Sequence, residues 1–190
     1  MKETMLILAP VTSRSGYGDH ARDLVLSFIG LDKFDIRIAD CNWGNTPRTA
    51  LEETTDKNLL LIKERIIHDT NKPPFPDRPD VYVDIRIPNE FQTMGKYNIG
   101  ITAGIETNAV SQKWLEDCNK MDLVIVPSVH SKMGFTHSIY EMSHKLADGS
   151  TKKAGELKLQ KPIEVLFEGT DEDVYKPIDD SSLDLVDDIK

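Results

Sequence analysis

Residues 97–127, YNIGITAGIETNAVSQKWLEDCNKMDLVIVP, constrain the fold more than any other stretch of this chain. About thirty residues hold a strand, a loop, a short helix and a second strand. Ile99, Ile101 and Ala103 alternate at its start, and Gly104 to Asn108 follow where a parallel strand would open into a loop. Ser111 is placed to cap a helix whose apolar side is Trp114, Leu115 and Cys118. Leu123 to Val126 then reads as a fully buried strand, closed by Pro127 and Ser128. Ligands of open α/β sheets bind outside the carboxyl ends of the strands. Glu106, Asn108 and Ser128 fall at such ends, so this segment predicts a polar small-molecule site.

The rest of the chain repeats the alternation of strand and helix. Strands are expected at Met5–Ala9, Phe34–Ala39, Val81–Ile87 (with one polar side) and Ile163–Phe167. Helices are expected at Asp19–Phe28, from Thr46-Pro47 onward, at Asp56–His68 and at Ser131–Leu146, with loops at 71–79 and 147–155. The expected fold class is α/β: a Rossmann-like three-layer α/β/α arrangement around a mostly parallel sheet. At 190 residues the chain suits one domain.

Composition narrows the function classes. No apolar run approaches the ~20 residues that span a bilayer, and Met5–Ala9 serves better as a strand than as a signal peptide. Cys41 and Cys118 lie far apart without a CxxC partner, which argues against a disulfide framework and for a reducing cytoplasmic setting. Net charge is −9, of which residues 171–190 carry −6, so the body of the protein is nearly balanced. It has no basic stripe to neutralise phosphates, and nucleic-acid binding is not expected.

Several residues are candidates for chemistry. Gly16, Tyr17 and Gly18 lie between the first strand and first helix, where glycine admits close backbone approach and free N–H groups favour an anion. The run Gly16-x-Gly18-x-x-Ala21, with Asp40 ending the next strand, partly matches a dinucleotide fingerprint, but Pro10 to Ser15 separate it from the strand. His20 falls in the first turn of that helix and is a candidate ligand contact. His130, His137 and His144 recur every seven residues, a rise of roughly 10.5 Å in a helix, and cannot share one metal ion. Glu106 could act as a catalytic acid, a hydroxyl acceptor or a helix cap. Glu168-Gly169-Thr170-Asp171 reads from its chemistry as a turn.

Four segments carry a resemblance to a known family: SRSGYGDHAR, GITAGIETNAVSQKWLEDCNKMD, VIVPS and VLFEGTDEDVYKP. Taken in order, they resemble the N-terminal domain of a GT-B glycosyltransferase of the family 4 type. The last is similar to the family's P-x-G-V-D-x-x-x-F-x-P signature, with Thr170 in place of valine and Tyr175 in place of phenylalanine. The resemblance covers residues 1–177 as the acceptor-side domain, one half of a GT-B fold, with 178–190 as an acidic crossover or tail. The donor-binding second domain would lie outside this chain. It implies a retaining transferase that moves a sugar from a nucleotide-sugar donor to a sugar, lipid or protein acceptor, without metal or other cofactor. On the resemblance, Gly16, Tyr17 and Gly18 would approach the donor diphosphate and Glu106 with Asn108 would face the cleft. Glu106 is the candidate catalytic group, and His20, Asn108 and Ser128 join the glycine loop as candidate substrate contacts from their positions. The partner would be a separately encoded donor domain or a second copy of the chain. Leu185, Val186 and Ile189 stand at helical spacing in the tail, which could dock on either. A non-catalytic acceptor- or nucleotide-binding module and an NAD-type enzyme are the alternatives.

Overall fold

The computed structural model describes residues 2–145, 150–170, 172 and 175–177. Its main sheet has six strands, all parallel: β1 (Glu3–Ala9), β2 (Phe34–Asp40), β3 (Val81–Ile85), β4 (Tyr97–Ile101), β5 (Leu123–Val126) and, late in the chain, β8 (Ile163–Val165). They lie in the order β2-β1-β3-β4-β5-β8. Four helices connect them: α1 (Gly16–Gly30), α2 (Lys57–Lys63), α3 (Gln112–Cys118) and α4 (Val129–His137). This is the α/β Rossmann-like architecture expected from the alternating pattern.

Strand periodicity sorts the core into two layers. Met5, Ile7 and Ala9 of β1 share a face with Ile36, Ile38, Val83, Ile85 and Ile101, and this face packs on Ala21, Leu24 and Val25 of α1 and Ile62 of α2. The opposite face holds Leu6 and Tyr82 under Phe75, then Phe91, Val124, Val126 and Ile163 under Leu115, Cys118 and Phe135. Three of the helices start on a serine cap, that of Ser111 being the expected one. Ser15 Oγ accepts from Gly18 N, Ser111 Oγ from Trp114 N and Ser128 Oγ from Ser131 N.

Three expectations are corrected. No helix begins at Thr46-Pro47. Thr46 Oγ1 bonds Ser13 Oγ at 2.6 Å and the Trp43 carbonyl at 2.6 Å, so the hydroxyl that would cap a helix fastens a loop instead. The helix expected through His68 stops at Lys63, and Ile66 makes a parallel bridge to Ile38 on the outer edge of β2. The helix expected from Ser131 onward gives way after His137 to an antiparallel strand pair, β6 (Tyr140–Lys145) and β7 (Thr151–Leu157). Strand β7 takes up residues 151–155 of the expected polar connection, whose residues 147–149 lie outside the described ones. His137 and His144 therefore share no helix face, and Leu146 lies outside the described residues. The polar side of β3 is buried, because Tyr82, Asp84 and Arg86 bond one another beneath a loop. The acidic segment 178–190 lies outside the described residues.

Asp117, almost fully buried on α3, bonds Lys113 and Lys120 at 2.5 Å each. Burial alone would raise its pKa, but the two lysines outweigh it and hold the carboxyl below the usual range. A carboxyl depressed in the folded state stabilises above its unfolded pKa of about 3.9 and loses that contribution as pH falls through the folded value. The melting temperature is therefore expected to be level from pH 7 to 5 and to fall below pH ~4. Asp117→Asn should flatten the fall. An equal acid slope in that variant would show that other carboxyls govern it.

Candidate functional site

The chain order reverses between β1 and β3. With Ile66 counted as a rudimentary outer strand, the arrangement is the doubly wound one, and its ligand crevice lies outside the carboxyl ends of the strands at that reversal. The loops after β1, β4, β5 and β8 meet along this rim.

Residues 10–15 after β1 are held from beneath. Buried Arg22 donates through Nη1 to the Val11 carbonyl at 2.8 Å and the Ser13 carbonyl at 2.9 Å, and its Nη2 pairs with Asp19. Thr12 donates its N–H and its hydroxyl to Asp40, whose second partner is Arg48. Asp40 is thus occupied within the loop and presents no free carboxylate to a ribose, which weighs against the dinucleotide reading. Gly18 packs so closely that a Cβ there would lie 2.1 Å from the Ser13 carbonyl oxygen. Gly16 faces open space. The N–H groups of a helix's first turn have no intrahelical acceptor. Ser15 takes that of Gly18, so those of Gly16 and Tyr17 are the ones this helix offers to a ligand.

Tyr17 links the first loop to the fourth strand. Its hydroxyl lies 3.0 Å from Thr102 Oγ1 and accepts from Ala103 N at 3.0 Å, while its ring stacks on Trp43 with centroids 4.1 Å apart. A groove of about 880 Å3 opens beside it, walled by α1 on one side and by residues 166–170 on the other. Gly16, Tyr17, His20 and Ala103 line its rim end. Across it, His20 Nδ1 stands 3.4 Å from Glu168 Oε1, the histidine side chain 17% exposed and the glutamate 57%.

The remaining candidates lie on the same rim but apart from this groove. Ser128 spends its hydroxyl on capping α4, and Ser131 fills the space over Gly104, whose φ of 84° suits glycine. Glu106 is exposed, and its contact with His130 Nε2, at 3.3 Å, is through its backbone carbonyl. Asn108 is also exposed. The structure thus brings Gly16, Tyr17 and His20 together at the groove, packs Gly18 behind them, and leaves Glu106, Asn108 and Ser128 on neighbouring loops.

Glu168, Thr102 and Trp43 were missed as site residues. Only Glu168 had a signal, its position just after the last strand. Neither thiol is poised for nucleophilic chemistry, since burial pushes Cys41 up to about 11 and Cys118 up to about 12. Among the described residues, no three His, Cys, Asp or Glu side chains group as a metal site, and no helix is long and apolar enough to cross a membrane. In comparisons with known proteins, no family model, no curated protein and no solved structure matches this chain.

Proposed function

We propose that this domain is the acceptor-side half of a retaining glycosyltransferase of the GT-B type, acting on a nucleotide sugar. The observation that carries the reading is the groove at the carboxyl rim, where the start of α1, with Gly16, Tyr17 and His20, faces Glu168 from the end of the sheet. That rim is where Rossmann-like sheets receive nucleotide ligands, and the order of the four family-like segments along the chain points the same way. In this reading the N–H groups of Gly16 and Tyr17 meet the donor diphosphate. The loop after β1 is fixed by Arg22, so those donors are in place before the ligand arrives. His20 and Glu168 contact hydroxyls of the acceptor. The nucleotide base and ribose belong to a second Rossmann-like domain, and the acceptor belongs to this one.

Residues 1–190 tested on their own contact the donor from this rim only, so they are expected to bind it more weakly than micromolar and to show background sugar transfer. Amide NMR of the labelled protein, titrated with UDP-glucose and GDP-mannose, tests this. One or both should shift the resonances of Gly16, Tyr17, Gly18 and Ala103, and NADH should not. Sub-micromolar binding would mean a complete donor site and would remove the half-enzyme reading. No shift at this rim with either sugar nucleotide would remove the glycosyltransferase reading altogether.

A further inference from the structure

We infer that the groove beside α1 takes an uncharged amphiphile, with a hydroxyl-bearing head group between His20 and Glu168 and an apolar portion along Phe28, Leu31 and Phe167. This rests on the glycosyltransferase reading, in which that amphiphile is the acceptor.

Three observations carry it. The groove, at about 880 Å3, falls within the ~300–1,000 Å3 of small-molecule sites. Its wall changes character along α1, a helix of 15 residues and so about 22 Å long. Tyr17 and His20 mark the rim end, and Leu24, Phe28 and Leu31 follow toward the other. The facing segment adds Leu166 and Phe167. Leu31, Leu166 and Phe167 are 54%, 49% and 70% exposed, and large apolar side chains gathered on one exposed groove mark a binding surface rather than a core.

Charge then selects the head group. Asp19, Asp23 and Glu168 line the groove, and among the described residues its only lining side chain able to carry positive charge is His20. A phosphorylated or carboxylated head would meet the carboxylates of Glu168 and Asp23, Asp19 being paired with Arg22, in a partly desolvated space where like charges repel. A neutral polyol meets none of that cost. Its hydroxyl can donate to Glu168 and exchange a hydrogen bond with His20, whose ring is already oriented by that carboxylate at 3.4 Å. A cationic head between His20 and Glu168 would have to displace His20 from the glutamate, and it gains nothing from Asp19, which Arg22 already neutralises.

The test is an amide NMR titration of the whole chain with octyl glucoside below its micelle concentration, and with glucose, octyl phosphate and octylamine. Octyl glucoside should saturably shift His20 and the stretch from Leu24 to Leu31. Glucose and octyl phosphate should each bind at least about tenfold more weakly, glucose for want of apolar contact and octyl phosphate for its charge. Phe167→Ser, at an exposed position that folding does not depend on, should weaken octyl glucoside about tenfold. Glu168→Gln should narrow the gap between octyl glucoside and octyl phosphate. Equal binding of the glucoside and the phosphate, tighter binding of octylamine, or indifference to Phe167→Ser would each overturn the inference. If nucleotide sugars shift the Gly16–Gly18 amides but octyl glucoside does not bind, this inference falls alone. The reverse pattern removes the glycosyltransferase reading and supports the groove as an amphiphile site.

Discussion

Asp84→Ala is expected to destabilise the protein by about 3–5 kcal/mol, as much as truncating a large core side chain. Asp84 is fully buried and accepts four hydrogen bonds. Two come from Arg86, at 2.7 Å from Nε and 2.8 Å from Nη2, one from the Tyr82 hydroxyl at 3.0 Å and one from Gln92 N at 3.0 Å. Removing it strands a guanidinium whose side chain is 10% exposed, with the partly exposed Glu90 as the remaining charge beside it. It also leaves a buried phenol and a backbone N–H without acceptors. The Tyr82 hydroxyl titrates far above its ordinary value, because burial disfavours the phenolate and the Asp84 charge disfavours it further. Burial alone keeps it uncharged once Asp84 is gone, so it cannot supply the arginine's missing counter-charge. Urea unfolding measures the loss directly. A double variant, Asp84→Leu with Arg86→Met, should recover much of it, since an apolar pair in place of a buried ion pair is often neutral or better. A loss below ~1 kcal/mol for Asp84→Ala would show that water or a rearranged Glu90 replaces the carboxylate.

The same cluster shows where sequence reading stops. Tyr82, Asp84 and Arg86 alternate with Val81, Val83 and Ile85, which reads as a strand with one polar side and leaves open whether that side is buried. Residues two apart on a strand share a face, so the three polar side chains can satisfy one another under cover, and no periodicity announces it. Elements defined by local chemistry were legible: the apolar runs of β1, β2 and β5, the apolar spacing of α1 (though its start at Ser15 was not) and the helix begun by Ser111. Thr46 misled because a hydroxyl before proline is as useful to a loop as to a helix, and here Ser13 and the Trp43 carbonyl claim it. The strand pair after α4 was hidden by histidines at helical spacing. At the site, Gly16, Tyr17 and His20 were legible because they lie within one turn of a helix start. Glu168 was not, because its meeting with His20 joins segments nearly 150 residues apart. Glu106 drew attention by standing at a strand end, which fixes the rim but not the direction in which a side chain points.

Gly18→Ala and Gly16→Ala should separate folding from binding at that rim. The two glycines are two residues apart in the first turn of α1, and neither has a positive φ. Space alone distinguishes them. At Gly18 a new Cβ would stand 2.1 Å from the Ser13 carbonyl oxygen and 3.2 Å from Arg22 Nη1. The carbonyl is backbone and cannot turn aside, so the start of α1 or the loop must shift by about an ångström, at a cost of about 1–3 kcal/mol. The shift would also pull Ser13 away from Arg22, which bonds that carbonyl at 2.9 Å. Both stability and the donor amides of Gly16 and Tyr17 should suffer. At Gly16 nothing lies within 4 Å of the added carbon. Alanine there should leave stability unchanged or raise it by up to ~1 kcal/mol, through the smaller entropy of the unfolded chain. A ligand phosphate approaching the helix start would nevertheless meet the new methyl. Gly16→Ala is therefore expected to melt at or above the wild-type temperature while losing the nucleotide-sugar shifts, and Gly18→Ala to lose both. If Gly16→Ala keeps those shifts unchanged, the glycine only shapes the turn, and the diphosphate does not approach the backbone at this point.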